Sequence, residues 1–167
     1  MATNSTDPLA GVSRKGVARA SHGKSLYERL GGHEGILKLV KPFYVDIRQH
    51  AVLGPIFKAH IPDWPTHLDK LTEFWALQTG GVSRYRGGFG AAHIPLGIGA
   101  EHFGHWLALW KFNNARQLAP PEASEMNALA QQLAERLSAL TQGRRSLTIG
   151  TLESRPANPA GKSEKLD

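Results

Sequence analysis

The chain has 167 residues, of which 41% are hydrophobic and 20% charged, and its formal net charge is +6. This length fits one domain with a packed core, and the composition excludes a chain that is disordered throughout. Cysteine is absent, which excludes disulfides, thiolate metal sites and a thiol nucleophile. No apolar run approaches the roughly 20 residues of a membrane span, and residues 1–24 hold no signal-peptide core. We therefore expect a cytoplasmic protein that does not bind membranes.

The positive charge is concentrated at the two ends of the chain. Residues 1–24 carry a net charge of +3 and residues 142–167 a net charge of +2, whereas residues 25–141 carry only +1. A nearly neutral central region does not offer the basic face that binds a phosphate backbone. We expect no nucleic-acid binding, and the alternative would be binding through the two basic ends.

The aromatic residues define the domain. All thirteen lie between Tyr27 and Phe112, and both ends of the chain are rich in small and polar residues. Segments of that kind bury too little surface to offset the entropy of ordering them. The sequence predicts a flexible N-terminal extension over 1–24, a domain over 25–141 and a flexible C-terminal tail over 142–167.

The first half of that domain shows helical periodicity. Ser25 and Glu28 fit a capping box, and Gly31 with Gly32 ends the short helix that follows. A longer helix comes next, with Pro42 inside it, where we expect a kink or a restart. Its apolar face consists of Ile36, Leu37, Val40, Phe43, Tyr44 and Ile47. A further helix begins near Pro65-Thr66 and stops at Gly80-Gly81.

The second half continues the helical pattern after a glycine-rich stretch over 87–90. A short apolar piece around His93 ends at Pro95, and a helix is predicted from about Ala100 to Gln117. Pro120-Pro121 opens the last helix. Its predicted buried stripe is Met126, Leu129, Leu133, Leu137 and Leu140. No segment is typical of a strand, so the predicted fold class is all-α.

Seven of the eight histidines lie in the predicted domain. His102 and His105 have the spacing of a metal-chelating pair on a helix, but no third ligand accompanies them at a supporting spacing. His67 and His93 are more informative, because each lies among apolar and aromatic residues in a different helical segment. Haem requires one strong axial nitrogen and a flat apolar slot. The residues that could line such a slot are Phe57, Leu71, Phe74, Trp75 and Trp106, and the alternative is the core of an ordinary helical bundle.

The order of these motifs resembles the truncated haemoglobins. The similarity runs through Phe43-Tyr44, Leu53-Gly54-Pro55-Ile56-Phe57 and Asp63-Trp64-Pro65-x-His67-Leu68. It continues through Phe74-Trp75, Tyr85-x-Gly87, Ala92-His93 and His102-Phe103-x-x-Trp106-Leu107. The motifs cover nearly all of 25–141 and are most similar to the third group of that family. The resemblance implies a globin-like two-over-two helical sandwich around haem b.

The resemblance also implies roles for individual residues. His93 matches the proximal iron ligand, and Tyr44, His67 and Trp106 match the distal residues around the ligand. Lys70 and Tyr85 are candidate partners of the haem propionates. The full set of candidate haem-pocket residues is Phe43, Phe57, Lys70, Leu71, Phe74, Tyr85 and Phe103.

Several features depart from the family pattern. Gly31-Gly32 and Gly80-Gly81 are more similar to the other two groups, and the glycine-rich segment before His93 replaces the Pro and Met that the family often has. Pro42 precedes Phe43-Tyr44 closely enough to shift the distal tyrosine. These departures concern the distal geometry and the subgroup rather than the presence of haem.

The function expected from the resemblance is binding of dioxygen, CO and NO at a pentacoordinate haem iron. Three distal donors predict slow dioxygen release, which suits sensing or chemistry better than bulk oxygen transport. The alternative is an enzyme on the same haem, for nitric oxide detoxification or peroxidase-like chemistry, with an electron-donating reductase as partner. A haem-free helical interaction module is a third possibility.

Overall fold

The computed structural model describes the backbone of residues 23–153 and the side chains of residues 23–142. Seven helices and one 3-10 turn make up this part of the chain. The helices are α1 (Leu26–Arg29), α2 (Gly32–Gln49), α3 (Leu53–His60), α4 (Trp64–Gln78), α5 (Phe89–His93), α6 (Ala100–Gln117) and α7 (Pro120–Glu153), and the 3-10 turn is Ile94–Leu96. The described residues contain no strand. The all-α prediction is confirmed.

Two pairs of packed helices form the body of the fold. Helix α2 packs on α4, α6 packs on α7, and α2 also lies against α6, so the two pairs are joined. The fully buried side chains at the centre come from all four helices, among them Ile36 and Phe43 of α2, Trp75 of α4, Trp110 of α6 and Met126 of α7. This is the two-layer arrangement that amphipathic helices adopt around one core.

The start of the domain folds as its sequence predicts. The Glu28 amide donates to Ser25 Oγ at 3.2 Å, and the Ser25 amide donates to a Glu28 carboxylate oxygen at 2.7 Å. This reciprocal capping box begins α1. Gly31 and Gly32 then adopt φ angles of +88° and +68°, which only glycine reaches without strain, and the chain turns into α2.

Pro42 does not restart its helix. Helix α2 is continuous over Gly32–Gln49 with Pro42 inside it. Proline removes one backbone donor, so the carbonyl one turn earlier in α2 loses its partner. The side of α2 at residues 41 and 42 is exposed, and this carbonyl can bond to water instead. Phe43 and Tyr44 then point into the core, at 0% and 5% exposure.

Helix α4 begins at Trp64, slightly before the predicted start. Pro65 occupies its first turn and Asp63 is the residue that precedes the helix, with the Thr66 hydroxyl bonded to the Asp63 carboxylate. The helix ends as predicted, at Gly80 with φ of +89°. A Cβ on Gly81 would lie 2.4 Å from Tyr27 Cδ2, so glycine is required for the close packing of α1 on this turn.

The buried stripe of α7 departs from its prediction at the end. Met126, Leu133 and Leu137 are buried, and Leu129 is half-buried, but Leu140 is 48% exposed. Thr141 is buried instead, because it follows Leu137 by four residues and so continues the same helix face. The inclusion of Leu140 in the stripe was wrong.

The predicted extension over 1–24 lies outside the described residues except for its last two, and of the predicted tail over 142–167 the structure describes only the backbone as far as residue 153 and the side chain of Gln142. The backbone of α7 continues past residue 141 to Glu153, and the domain boundaries stay predictions. Among the described residues, no helix is long and apolar enough to cross a membrane.

Candidate functional site

His93 lies at the carboxyl end of the short helix α5. Its Nδ1 is 2.6 Å from the Phe89 carbonyl oxygen. A carbonyl oxygen only accepts, so Nδ1 carries the proton and Nε2 keeps its lone pair. Burial lowers the pKa of His93, against the opposing effect of that hydrogen bond. His93 is therefore a neutral imidazole with a fixed ring orientation and a basic Nε2, which is the form that binds a metal ion.

The chain around His93 is shaped by glycine and proline. Gly87 and Gly88 have φ angles of +91° and +86° and turn the chain into α5, and Pro95 follows in the 3-10 turn. None of the residues of α5 is fully buried. The proximal segment is thus held by few core contacts.

Tyr44 lies on the buried face of α2. Burial raises the pKa of Tyr44, and the nearby Trp106 indole N–H partly offsets this. The phenol is neutral at any physiological pH.

His67 lies in the first turns of α4, edge-on to Tyr44 with the ring centroids 5.8 Å apart. Its Nε2 is buried and has no hydrogen-bond partner among the described residues. Burial lowers the pKa of His67, and the charges of Lys70 and His93 lower it further. A buried nitrogen without a partner is costly unless a ligand satisfies it.

An aromatic wall borders Tyr44 and His67. Trp64 stacks on Phe57 with centroids 6.4 Å apart, and both rings contact Tyr44. The Arg48 guanidinium lies 4.8 Å above the Trp64 ring. This wall is apolar toward the site and capped by a cation toward solvent.

The other predicted pocket residues fall into three groups. Phe43 is fully buried behind Tyr44, with its ring against those of Trp106 and Trp110. Phe74 stacks on Phe89 of α5 at 4.9 Å and touches Tyr85 edge-on. The half-buried Leu71 packs against the same core. Phe103 belongs to a second, smaller cluster with Ile98, Ala134 and Leu137, against which Phe89 also packs.

Lys70 and Tyr85 border a cleft of about 380 Å³. Its other lining residues are Asp69, Glu73, Arg84, Arg86 and Gly87. The charge of Lys70 lowers the pKa of both His67 and His93. Arg86 was not singled out from the sequence, although two arginines flanking Tyr85 are visible there. The cleft therefore combines cations with two carboxylates, and both carboxylates pair with Arg84.

A buried carboxylate fixes the loop between α4 and α5. Glu73 accepts hydrogen bonds from the Arg84 amide at 2.7 Å and from Arg84 Nε at 2.9 Å, and its pKa falls to about 2, chiefly because of these bonds. The Ser83 hydroxyl donates to the Glu73 carbonyl at 2.6 Å. Sequence analysis missed Glu73, because an acidic residue inside a helix is usually a surface residue.

His102 and His105 do not form a common metal site. The Gly99 amide donates to His102 Nδ1 at 3.1 Å, which caps α6. The His105 ring lies against His50, and its Nε2 is 3.8 Å from Glu101. No group of three potential metal ligands occurs among the described residues.

The helical layers, with α2 packed on α4 and α6 packed on α7, are those of a globin-type fold. The profile of the bacterial-like globins matches residues 25–141. The chain belongs to the bacterial-like globin family. Membership of this family implies haem-based ligand binding.

Characterised relatives come from more than one group of truncated haemoglobins. The chain is 35% identical over 83 residues to the group 3 truncated hemoglobin of Campylobacter jejuni, a region that covers 47% of this chain and 65% of that one. It is 32% identical over 91 residues to a group 1 truncated hemoglobin of Mycolicibacterium paratuberculosis, which covers 52% and 62%. The chain thus spans slightly less than two thirds of each relative.

Solved structures agree with the fold. The group III truncated hemoglobin from Campylobacter jejuni matches with a TM-score of 0.62 and 28% identity, over 66% of this chain and 91% of that one. The 2/2 hemoglobin from a Synechococcus species, with covalently attached heme, matches with a TM-score of 0.63 and 21% identity, over 70% and 99%. The predicted family and its two-over-two fold are confirmed.

The residues present fit a haem. His93 provides a neutral imidazole with Nε2 free, and the buried Nε2 of His67 has no partner in the described part of the chain. The His67 ring contacts Tyr44 and Trp64, the His93 ring contacts Phe89, and Lys70 and Arg86 line the cleft as cations. A flat apolar macrocycle with two carboxylates matches this chemistry.

Proposed function

We propose that the chain binds haem b through His93 and binds dioxygen, CO and NO on the distal side, next to Tyr44 and His67. The observation that carries this proposal is the pair of half-buried, neutral imidazoles. His93 keeps Nε2 free because Nδ1 is bonded to Phe89, and His67 holds a buried Nε2 without a partner. Two such imidazoles near each other are costly in a core that binds nothing.

The haem, when bound, supplies an iron with one open coordination position for a diatomic ligand. His93 supplies the fifth ligand, and its bond to Phe89 holds the ring in one plane and raises the basicity of Nε2. Phe57, Leu71, Phe74 and Phe103 contribute the apolar surface that excludes water. Lys70, Tyr85 and Arg86 lie where they can bind the propionates.

The distal side chains differ in what they donate. The Tyr44 hydroxyl has one proton to donate, the neutral His67 has one ring N–H and the Trp106 indole has one, so these three side chains are the candidate donors. When haem is bound, its iron would be the site where dioxygen gains negative charge, and these donors would favour dioxygen over CO.

The experiment is an absorption spectrum of the purified full chain after titration with haemin, taken ferric, then reduced, then with dioxygen, CO and NO. We expect a sharp Soret band at one haem per chain that shifts with each ligand. A spectrum of free haemin that does not change on adding the protein would contradict the proposal. The site would then be an ordinary core.

A further inference from the structure

Three tryptophans form a continuous stack through the core. The Trp106 and Trp110 rings are 5.5 Å apart with an interplanar angle of 7°, and the Trp110 and Trp75 rings are 4.6 Å apart with an angle of 13°. Trp75 and Trp110 are 1% and 0% exposed. We call Trp106, Trp110 and Trp75 the indole stack. Aromatic pairs often meet edge to face instead. Two successive near-parallel contacts therefore place the faces of three indoles in series.

The indole stack begins at the distal side of the site. The Trp106 ring meets edge-on the ring of Phe43, the residue before Tyr44 on α2, with centroids 5.5 Å apart, and the stack leads from there through α6 into α4. The indole is the side chain that loses an electron most readily while keeping its proton. A buried stack of indoles therefore offers a path for single electrons between the site and Trp75.

Two backbone hydrogen bonds connect the far end of the stack to Tyr27. The Thr79 amide donates to the Trp75 carbonyl at 3.0 Å, and the Tyr27 amide donates to the Thr79 carbonyl at 3.0 Å. Tyr27 itself packs against the core that contains Trp75. Covalent and hydrogen bonds thus link the two aromatic residues without a gap.

Tyr27 has a proton acceptor in place. Its hydroxyl oxygen is 2.6 Å from His33 Nδ1, and His33 Nε2 is 3.3 Å from the Glu73 carboxylate. Glu73 is ionised and accepts, so His33 carries its proton on Nε2 and its Nδ1 accepts from Tyr27. We call Tyr27, His33 and Glu73 the phenol relay. The His33 side chain is 40% exposed, so the relay reaches the surface.

We propose that the indole stack delivers electrons from Tyr27 to the haem site when hydrogen peroxide is reduced there, so that the chain oxidises phenol-type molecules at the surface beside Tyr27. This inference rests on the proposed binding of haem and goes beyond the binding of diatomic ligands. A phenol must lose its proton together with its electron, and the phenol relay supplies the acceptor that makes this possible at neutral pH.

The electrons and protons balance with a phenol as reductant. Tyr27 gives one electron to Trp75 and its proton to His33 Nδ1, and the resulting imidazolium is paired with Glu73. A phenol then gives one electron to the Tyr27 radical, His33 returns the proton, and the phenol releases its own proton to solvent. Over two rounds two phenols lose one hydrogen atom each, and one hydrogen peroxide becomes two water molecules.

The test traps radicals in the haem-loaded full chain. Hydrogen peroxide is added to the ferric protein with a nitroso spin trap and no phenol, and peptide mass spectrometry locates the adduct. We expect the adduct at Tyr27 in the wild type. In Trp110→Phe the amount at Tyr27 per haem should fall several-fold, because the central indole is replaced by a ring that is far harder to oxidise. Phe112→Leu removes an exposed aromatic ring of α6 that lies outside both the stack and the site, and the adduct should stay at Tyr27.

The His33→Gln variant separates proton transfer from structure. Without the acceptor, Tyr27 oxidation should be slowed several-fold near pH 7 and should recover at alkaline pH, where hydroxide accepts the phenol proton instead. A merely structural role of His33 would give a loss that does not depend on pH in this way.

The outcomes distinguish the two proposals. A chain that takes up no haem overturns both. A chain that shows the Soret band and binds CO leaves the proposed haem binding standing. If the wild-type adducts lie at Tyr44 or Tyr85, or if Trp110→Phe carries as much adduct at Tyr27 as the wild type, only the electron path is overturned.

Discussion

His93 and His60 make the same local hydrogen bond in different surroundings. Each donates Nδ1–H to the carbonyl four residues earlier, at 2.6 Å to Phe89 and 2.7 Å to Ile56. His60 is exposed at the end of α3, whereas His93 is half-buried beside the site. This difference gives a matched pair of variants for the proximal role.

His93→Ala should lower haem affinity by more than the roughly 10- to 100-fold that follows loss of a supporting hydrogen bond to a ligand. His60→Ala should leave it unchanged. Haemin titration followed at the Soret band measures both, and added imidazole should restore the spectrum of His93→Gly. Equal affinity in His93→Ala and the wild type would remove His93 from the site.

Tyr44→Phe should speed dioxygen dissociation. One donor to a charged acceptor contributes roughly 1.5–3 kcal/mol, which corresponds to about a tenfold to hundredfold faster off-rate. CO dissociation should change much less, because bound CO attracts a donor only weakly. Stopped-flow mixing measures both rates, with Tyr27→Phe as a tyrosine control far from the distal side chains. An unchanged dioxygen off-rate would show that the Tyr44 hydroxyl does not face the ligand.

At the scale of single residues, the sequence predicts which residues belong to the site better than it predicts which residues they contact. Tyr44 and Trp106 stand out in the sequence, but only the structure shows that the Trp106 indole lies close enough to the Tyr44 phenol to affect its pKa. These residues lie on α2 and α6, and no local pattern encodes how two distant helices face each other. Glu73 and His33 escaped notice for the same reason, since their partners come from the loop after α4 and from α1.

At the scale of elements, Glu73 ties the loop before α5 to α4. The Glu73 carboxylate accepts from the Arg84 amide and from Arg84 Nε, and its side chain is only 7% exposed. Glutamine replaces one of the two acceptor oxygens with an NH2 group, so one of these donors loses its acceptor in a nearly closed environment and the other loses a charged one. Glu73→Gln should therefore lower the free energy of unfolding by about 2–3 kcal/mol near neutral pH, measured by urea denaturation of the apoprotein.

The pH dependence has a definite sign. Because the pKa of Glu73 is about 2 in the fold, against a usual value of 4.5, the stability it adds is present above about pH 4.5 and declines as the pH falls toward 2. The difference between wild type and Glu73→Gln should shrink over that window. Glu34→Gln is the matched control: Glu34 is 79% exposed in a pair with Lys38, so its effect should stay within about 0.5 kcal/mol. A difference that does not depend on pH would contradict this account.

Helix positions were largely predictable because capping and periodicity are local. The bounds of α6, the capping box of α1 and the glycine stop of α4 all follow from neighbouring residues. The continuity of α2 through Pro42 and the exposure of Leu140 were not predictable. Both depend on which side of a helix meets another helix, and that is decided by the tertiary packing.

At the scale of the whole molecule, the core and the proximal segment are held differently. Side chains of α2, α4, α6 and α7 form most of the main buried cluster. Helix α5 has no fully buried residue and follows a glycine turn. The apoprotein should therefore be folded in its body, with α5 opening locally at low cost in free energy.

Haem binding should consequently protect one region more than the rest. A ligand that binds only the folded state adds about 4 kcal/mol of stability at a thousand times its Kd, and the bond to His93 should place much of this in α5. Hydrogen exchange of apo and haem-loaded protein should show the largest gain in protection over residues 89–96, with a smaller and more even gain in α2 and α7. In His93→Ala with haemin added, the gain over residues 89–96 should disappear. An equal gain in protection of all helices, or no gain at α5, would mean that the proximal segment is already fixed without haem. His93 would then not couple haem binding to the folding of α5.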